Sequence, residues 1–178
     1  RFWKDKTIKI RRCHHGPVIS DAHIFPKMKG KFALKWSGHQ PSDEMSSLLK
    51  AMRAKSVEEF RHSFNDFAVP PQNFIVADVK GNIGHILATW LPHRPNKPPK
   101  DICLLPDEAE NYWTTTLTAD QLPAVINPTE GYVASANNKP METDLPIGWF
   151  FSSHERIMRV QYLLRENDHV TIDDMITY

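Results

Sequence analysis

The chain has 178 residues, a mass of 20.5 kDa and a formal net charge of +1, with 40% hydrophobic and 24% charged residues. That length can bury a real core, and that composition excludes wholesale disorder. A charge so near zero gives no electrostatic case for nucleic acid, and no apolar run is long enough to cross a bilayer, so neither nucleic acid nor membrane is an expected partner.

The opening "RFWKDKTIKIRR" has no initiator Met, no signal-peptide pattern and a strand-like run at once, which predicts a fragment or a processed chain. Alternation over 7–10 predicts a strand, with a turn at Gly16-Pro17 and a short second strand after it. Residues 32–38, "FALKWSG", read as another strand, with Phe32, Leu34 and Trp36 on one face. The period then changes. Met45, Leu48, Leu49 and Met52, followed by Val57, Phe60 and Phe64, fall at helical spacing. Ser56-Val57-Glu58-Glu59 is a capping box, so two helices with a break near Lys55 are expected rather than one.

Residues 73–90, "NFIVADVKGNIGHILATW", carry two β-rich runs around Asp78-Val79-Lys80-Gly81-Asn82 and predict a hairpin. The Pro-rich stretch 91–128 reads as a long loop or insertion in which only "NYWTTTLT" is extended. "GYVASAN" (131–137) reads as a strand that ends in Asn137, Asn138 and, soon after, Pro140. Ile157, Val160, Leu163 and Leu164 then predict a helix, with Ser152-Ser153-His154-Glu155 as its capping box. A last helix begins at the Thr171 cap. Strands with grouped helices indicate an α+β arrangement.

Most chemistry-bearing residues here have plainer explanations. The nine histidines include no H-x-x-x-H or H-E-x-x-H spacing, and His14 and His15, adjacent on a strand, would face opposite sides. Cys13 and Cys103 could form one disulfide or none, and no C-x-x-C exists. There is no G-x-S-x-G and no phosphate-cradling glycine loop. Ser42, Ser56 and Ser152 stand where helices start, and Glu58-Glu59 and Asp173-Asp174 stand in first helical turns, where the dipole favours acidic groups. Asn137 admits two readings: a turn former, or a strand-end amide whose N–H₂ serves a developing oxyanion. Spacing alone favours the turn.

Several segments, in order, resemble the penicillin acylase family of N-terminal-nucleophile hydrolases. They are "HGPVISD" (15–21), "FALKWSG" (32–38), "NFIVADVKGNIGHILATWLPHRP" (73–95), "NPTEGYVASANNKP" (127–140) and "SSHERI" (152–157). The resemblance spans nearly the whole chain, is thinnest over 96–126, and places the chain as a single segment, residues 1–178, inside the family's β-chain. It implies part of a four-layer αββα fold matured by peptide excision. It also implies acyl-amide hydrolysis through an acyl-enzyme on an N-terminal nucleophile that this chain does not carry. By the same resemblance Asn137 is the side-chain oxyanion donor, and Arg156 is the arginine that orients that Asn and the nucleophile's amino group. Asp144 is the nearest match to a ligand of the family's structural calcium, one residue off the family spacing. His85 stands where the family more often has an aromatic residue.

The implied partners are a small acyl-amide substrate and the remainder of the precursor, its α-chain and the rest of its β-chain. No cofactor is implied for the chemistry, and the implied compartment is periplasmic or secreted. Alone, the segment is expected to be inactive. The competing expectation is a non-catalytic interaction module that keeps the acylase scaffold.

Overall fold

The computed structural model describes residues 5, 7–25, 29–95, 103–113, 115–167 and 169–178. Its first elements are β1 (Arg12–Cys13) and β2 (Gly16–Pro17), an antiparallel pair turning at His14-His15. The strand expected over 7–10 is not formed, and Gly16-Pro17 lies in β2 rather than in the turn. Gly16 has φ +141°, and a Cβ there would sit 2.0 Å from the Leu34 carbonyl oxygen. Only glycine allows that approach, which docks the hairpin onto residues 32–34 through Leu34 N–H to the Pro17 carbonyl and Ile19 N–H to the Phe32 carbonyl. Residues 32–38 therefore form only a bridge, Val18 to Ala33, before a 3₁₀ turn over Ser37–His39.

Asp21 ties this region together. Its carboxylate accepts from Arg11 Nε at 2.6 Å and Lys31 Nζ at 3.0 Å. The Arg11 hydrogen bond, then that of Lys31, holds its pKa down from 3.8 to about 2. A carboxylate depressed in the folded state stabilises it above the unfolded value, and that contribution is lost as pH falls through the folded value. NMR titration should therefore place the Asp21 midpoint near pH 2, and the link to Arg11 should weaken between pH 3.8 and 2. A midpoint at the unperturbed value would contradict the geometry.

The helical pair forms as expected, α1 (Glu44–Ala51) and α2 (Val57–His62). Asp43, not Ser42, caps α1, accepting the Ser46 N–H at 3.0 Å. The Ser42 hydroxyl instead donates to Glu44, whose carboxylate also accepts the Ala68 and Val69 N–H groups and has a lowered pKa, chiefly through Ser42. Ser56 caps α2 by accepting the Glu59 N–H at 3.1 Å, and the Glu59 carboxylate returns a bond to the Lys55 N–H.

The predicted hairpin is the centre of the structure: β3 (Gln72–Ala77) pairs antiparallel with β4 (Ile83–Ala88). Asp78 shapes the turn by accepting the N–H groups of Lys80 and Asn82, and Gly81 takes φ +87°. Next come β5 (Leu91–Pro92), α3 (Pro106–Tyr112), β6 (Thr116–Leu117) and β7 (Val125–Ile126). The 91–128 stretch is thus built around α3, three short strands and a 3₁₀ turn, more structured than its composition predicts; residues 96–102 and 114 of it lie outside the described residues. β7 pairs with β4, giving a three-stranded sheet in the order β3-β4-β7, and β5 pairs with β6.

As the middle strand, β4 is covered on both faces. Towards α1 and α2, Ala88 joins Ala51, Phe64, Phe67 and Ala119, with Phe60 and Phe74 packed against them. On the other face Leu87 meets Leu91 and Leu122, with Leu117, Met141, Leu145 and Ile147 around them. Gly84 lies beneath Val57, whose Cγ1 would be 2.8 Å from an added Cβ. His85 is buried in the same strand beside Asn73 Oδ1, and burial lowers its pKa.

The chain ends in two further helices, α4 (Glu155–Arg165) and α5 (Ile172–Thr177). Thr171 caps α5 as expected, whereas the Ser152 capping box does not form, because His154 occupies the N-cap of α4 with helical dihedrals. Residues 131–137 form no strand, and 132–136 have no ladder partner among the described residues. The α+β class holds. Among the described residues no helix is long and apolar enough to cross a membrane.

Candidate functional site

The run from Tyr132 to Asn138 is anchored on both sides of its polar end. Ala136 is buried before it, and Met141, Leu145 and Ile147 pack onto Leu87, Leu91 and Leu122 after it. The bend itself is built by Asn138. Its Oδ1 accepts the Ala136 N–H at 3.0 Å and its Nδ2 donates to the Lys139 carbonyl at 2.7 Å. Asn137 sits at φ +62°, a left-handed conformation that Asn tolerates better than most residues. Its carbonyl accepts the Ser152 N–H at 2.9 Å, and its side chain is left facing solvent.

Arg156 stands in the first turn of α4, next to Ile157, which is buried and fixes how the helix is rolled. The Arg156 guanidinium Nη1 donates to Asn137 Oδ1 at 3.2 Å. A second arginine, Arg165, donates through Nε to the Tyr132 hydroxyl at 3.0 Å. The two ties are mutually consistent: the earlier helix residue meets the later segment residue, and the later helix residue meets the earlier one. Helix α4 therefore runs back along the 132–137 segment, clamped near each end.

This arrangement decides how the Asn137 amide is oriented. Arg156 has only donors, so it must meet the amide oxygen. The N–H₂ group is left without a partner among the described residues and points away from the guanidinium. A preset amide donor at the end of an anchored segment is the arrangement an oxyanion site requires. Asn137 and Arg156, singled out from the sequence, are thus in contact. Asp144 is not with them. It is exposed, and among the described residues it joins no group of three or more His, Cys, Asp or Glu side chains. Calcium takes roughly six to eight oxygen ligands, which need not all be carboxylates.

One cluster escaped the sequence. His14 and His15 were expected on opposite faces, but the hairpin turn brings their rings to 3.8 Å and places both near Glu110 of α3. The three are separated by up to 96 residues, so no spacing could have linked them. Cys13 and Cys103 are both free.

The family model for penicillin amidase matches residues 3–178. The chain belongs to the penicillin amidase family. It is 27% identical to penicillin G acylase of Escherichia coli over 180 aligned positions, covering 94% of this chain and 20% of that protein. It is 25% identical over 144 positions to the penicillin acylase 2 proenzyme of a Pseudomonas strain, covering 80% of this chain and 18% of the proenzyme. Among solved structures, thermostable penicillin G acylase from Alcaligenes faecalis matches 98% of this chain with a TM-score of 0.65 and 26% identity. That match covers 31% of the acylase chain. The fold is therefore that of a penicillin amidase, an N-terminal-nucleophile hydrolase, and this chain spans about a fifth to a third of the relatives it matches.

Proposed function

We propose that this chain is a segment of a penicillin-acylase-like amidohydrolase, contributing the oxyanion donor and its positioning arginine to a site completed by the rest of the same protein. The observation that carries this reading is the contact from Arg156 to Asn137 Oδ1, which leaves the amide N–H₂ free to donate.

In the proposed reaction an N-terminal Ser, Thr or Cys, elsewhere in the precursor, attacks the carbonyl of a linear acyl amide. Its own α-amino group takes the proton. The carbonyl oxygen gains negative charge, which the Asn137 N–H₂ stabilises, while Arg156 holds that amide in place. The protonated α-amino group returns its proton to the departing amine as the C–N bond breaks, leaving an acyl-enzyme. Water then attacks the same carbonyl through the same oxyanion position, losing a proton to the α-amino group. The bond to the nucleophile breaks, which releases the carboxylic acid and restores the protonated nucleophile. No step passes through a metal. Calcium at Asp144 would be structural and would take its other ligands from outside the described residues.

Exposed apolar rows support a larger assembly. Met45 and Leu49 on α1, Met52 at its C-cap, and Ile172, Met175 and Ile176 on α5 are each half or more exposed. Such rows are covered when partner surface is present, here the remainder of the precursor. We assign the whole protein to the periplasm or the exterior on its family resemblance.

The test is to express the full-length gene, determine chain masses and N-termini, and assay a chromogenic acyl amide. The expected result is two chains, the longer one beginning with Ser, Thr or Cys and containing this segment, with measurable turnover. A single unprocessed chain without turnover would overturn the reading in favour of a non-catalytic scaffold.

A further inference from the structure

We infer that His14, His15 and Glu110 form a binding site for a divalent transition-metal cation of the zinc type. The argument is geometric. His14 Nε2 lies 2.9 Å and His15 Nε2 3.8 Å from the same Glu110 oxygen, Oε2. Ligand atoms around a tetrahedral zinc at about 2.0–2.1 Å lie roughly 3.4 Å from one another. The two distances bracket that edge, so small side-chain rotations would admit an ion.

The second observation is His15 itself. Its side chain is 12% exposed, and its Nε2 is fully buried without a hydrogen-bond partner. A buried polar atom in that state needs an explanation. It faces the Glu110 carboxylate at a distance too long for a hydrogen bond and well suited to a bridging ion. Two imidazoles with one carboxylate favour zinc, copper or nickel over calcium or magnesium, which prefer oxygen ligands.

The site is held from both sides. Gly16 locks the hairpin turn against Leu34, and Lys35 fixes the end of α3 by donating to the Ala109 and Trp113 carbonyls, its ammonium 5.3 Å from the Trp113 ring centroid. A cleft of about 320 Å³ opens beside the two histidines, lined also by Cys13, His39 and Trp113, and gives room for water in the remaining coordination position. Arg12 and Lys35 also border the cleft. The Lys35 ammonium is engaged by the Ala109 and Trp113 carbonyls. The bound ion would clamp α3 to the first hairpin. This inference is independent of amide hydrolysis.

The test uses the full-length protein, freed of metal by a chelator and then titrated with zinc chloride by calorimetry. Cobalt(II) absorption serves as a second readout. His14→Ala and Glu110→Gln alter exposed side chains and should fold normally; His169→Ala is the control. We expect one zinc site per chain at micromolar concentration or tighter, and four-coordinate cobalt bands. Loss of an outer-shell partner alone weakens metal sites by about 10–100-fold, so each ligand variant should lose at least about 10-fold, and the control nothing. Zinc uptake unchanged in both ligand variants, or no uptake at all, would overturn the inference and leave the cluster as an ion pair.

Discussion

Asn137→Ala is expected to reduce acyl-amide turnover by ~10²–10³, the usual loss for one oxyanion donor, with the fall in kcat rather than KM. A donor that strengthens its bond only as charge develops is felt in the rate and not in ground-state binding. One complication must be separated. Asn137 has φ +62°, and alanine there adds backbone strain of about 1–2 kcal/mol. Asn137→Gly removes the same donor and relieves the strain. Both variants should therefore lose similar turnover while the glycine variant keeps the better stability. If Asn137→Gly stays within a few-fold of the parent, the amide is not the donor and the site reading fails. Arg156→Ala should give a smaller fall in kcat, because it frees the amide to rotate without deleting it, and Arg156→Lys should restore part of the loss.

The division of labour between the two asparagines was the least legible part of the site. Sequence offers a turn former or a donor; Asn138 takes the turn, and the Asn137 N–H₂ has no partner among the described residues. Asn138 spends both ends of its amide on the local backbone, at Ala136 and Lys139, so the bend does not need the Asn137 side chain. That distinction depends on which side chain points inward, and adjacent identical residues carry no signal for it. Arg156 was legible only through family resemblance. Its meaning comes from a contact 19 residues away, set by the roll of α4 about buried Ile157.

Elements that close their own local bonds were read well. Helices α1, α2 and α5 and the β3-β4 hairpin carry caps or a turn whose partners lie within five residues. Elements defined by distant partners were not. The 7–10 and 131–137 runs have strand composition but no ladder partner among the described residues, whereas β5, β6 and β7 exist only because they pair across 24 to 42 residues. Composition describes what a segment tolerates; pairing depends on what lies beside it. The same reasoning explains His14 and His15, whose opposed faces presuppose a strand that here is a turn.

Phe64→Ala is expected to be the most damaging single core change, costing about 3–5 kcal/mol. Phe64 is fully buried and is the hub of the aromatic cluster. Its ring stacks on Phe74 at 4.7 Å and meets Phe60 and Phe67 edge-on at 5.1 and 5.6 Å. Deleting it removes its own transfer energy and leaves a cavity walled by three rings, a space α2 and β3 cannot close without breaking the contacts that fix them. Because β4 is covered on its second face by the cluster that includes Met141 and Leu145, loosening this core also loosens the anchor behind Asn137. Phe150→Ala is the matched control. That ring is 85% exposed, and its loss should cost less than about 0.5 kcal/mol. Denaturant titration of the full-length protein reads both. Equal costs for the two variants would mean that the Phe64 cluster is not the core that holds the sheet to its helices.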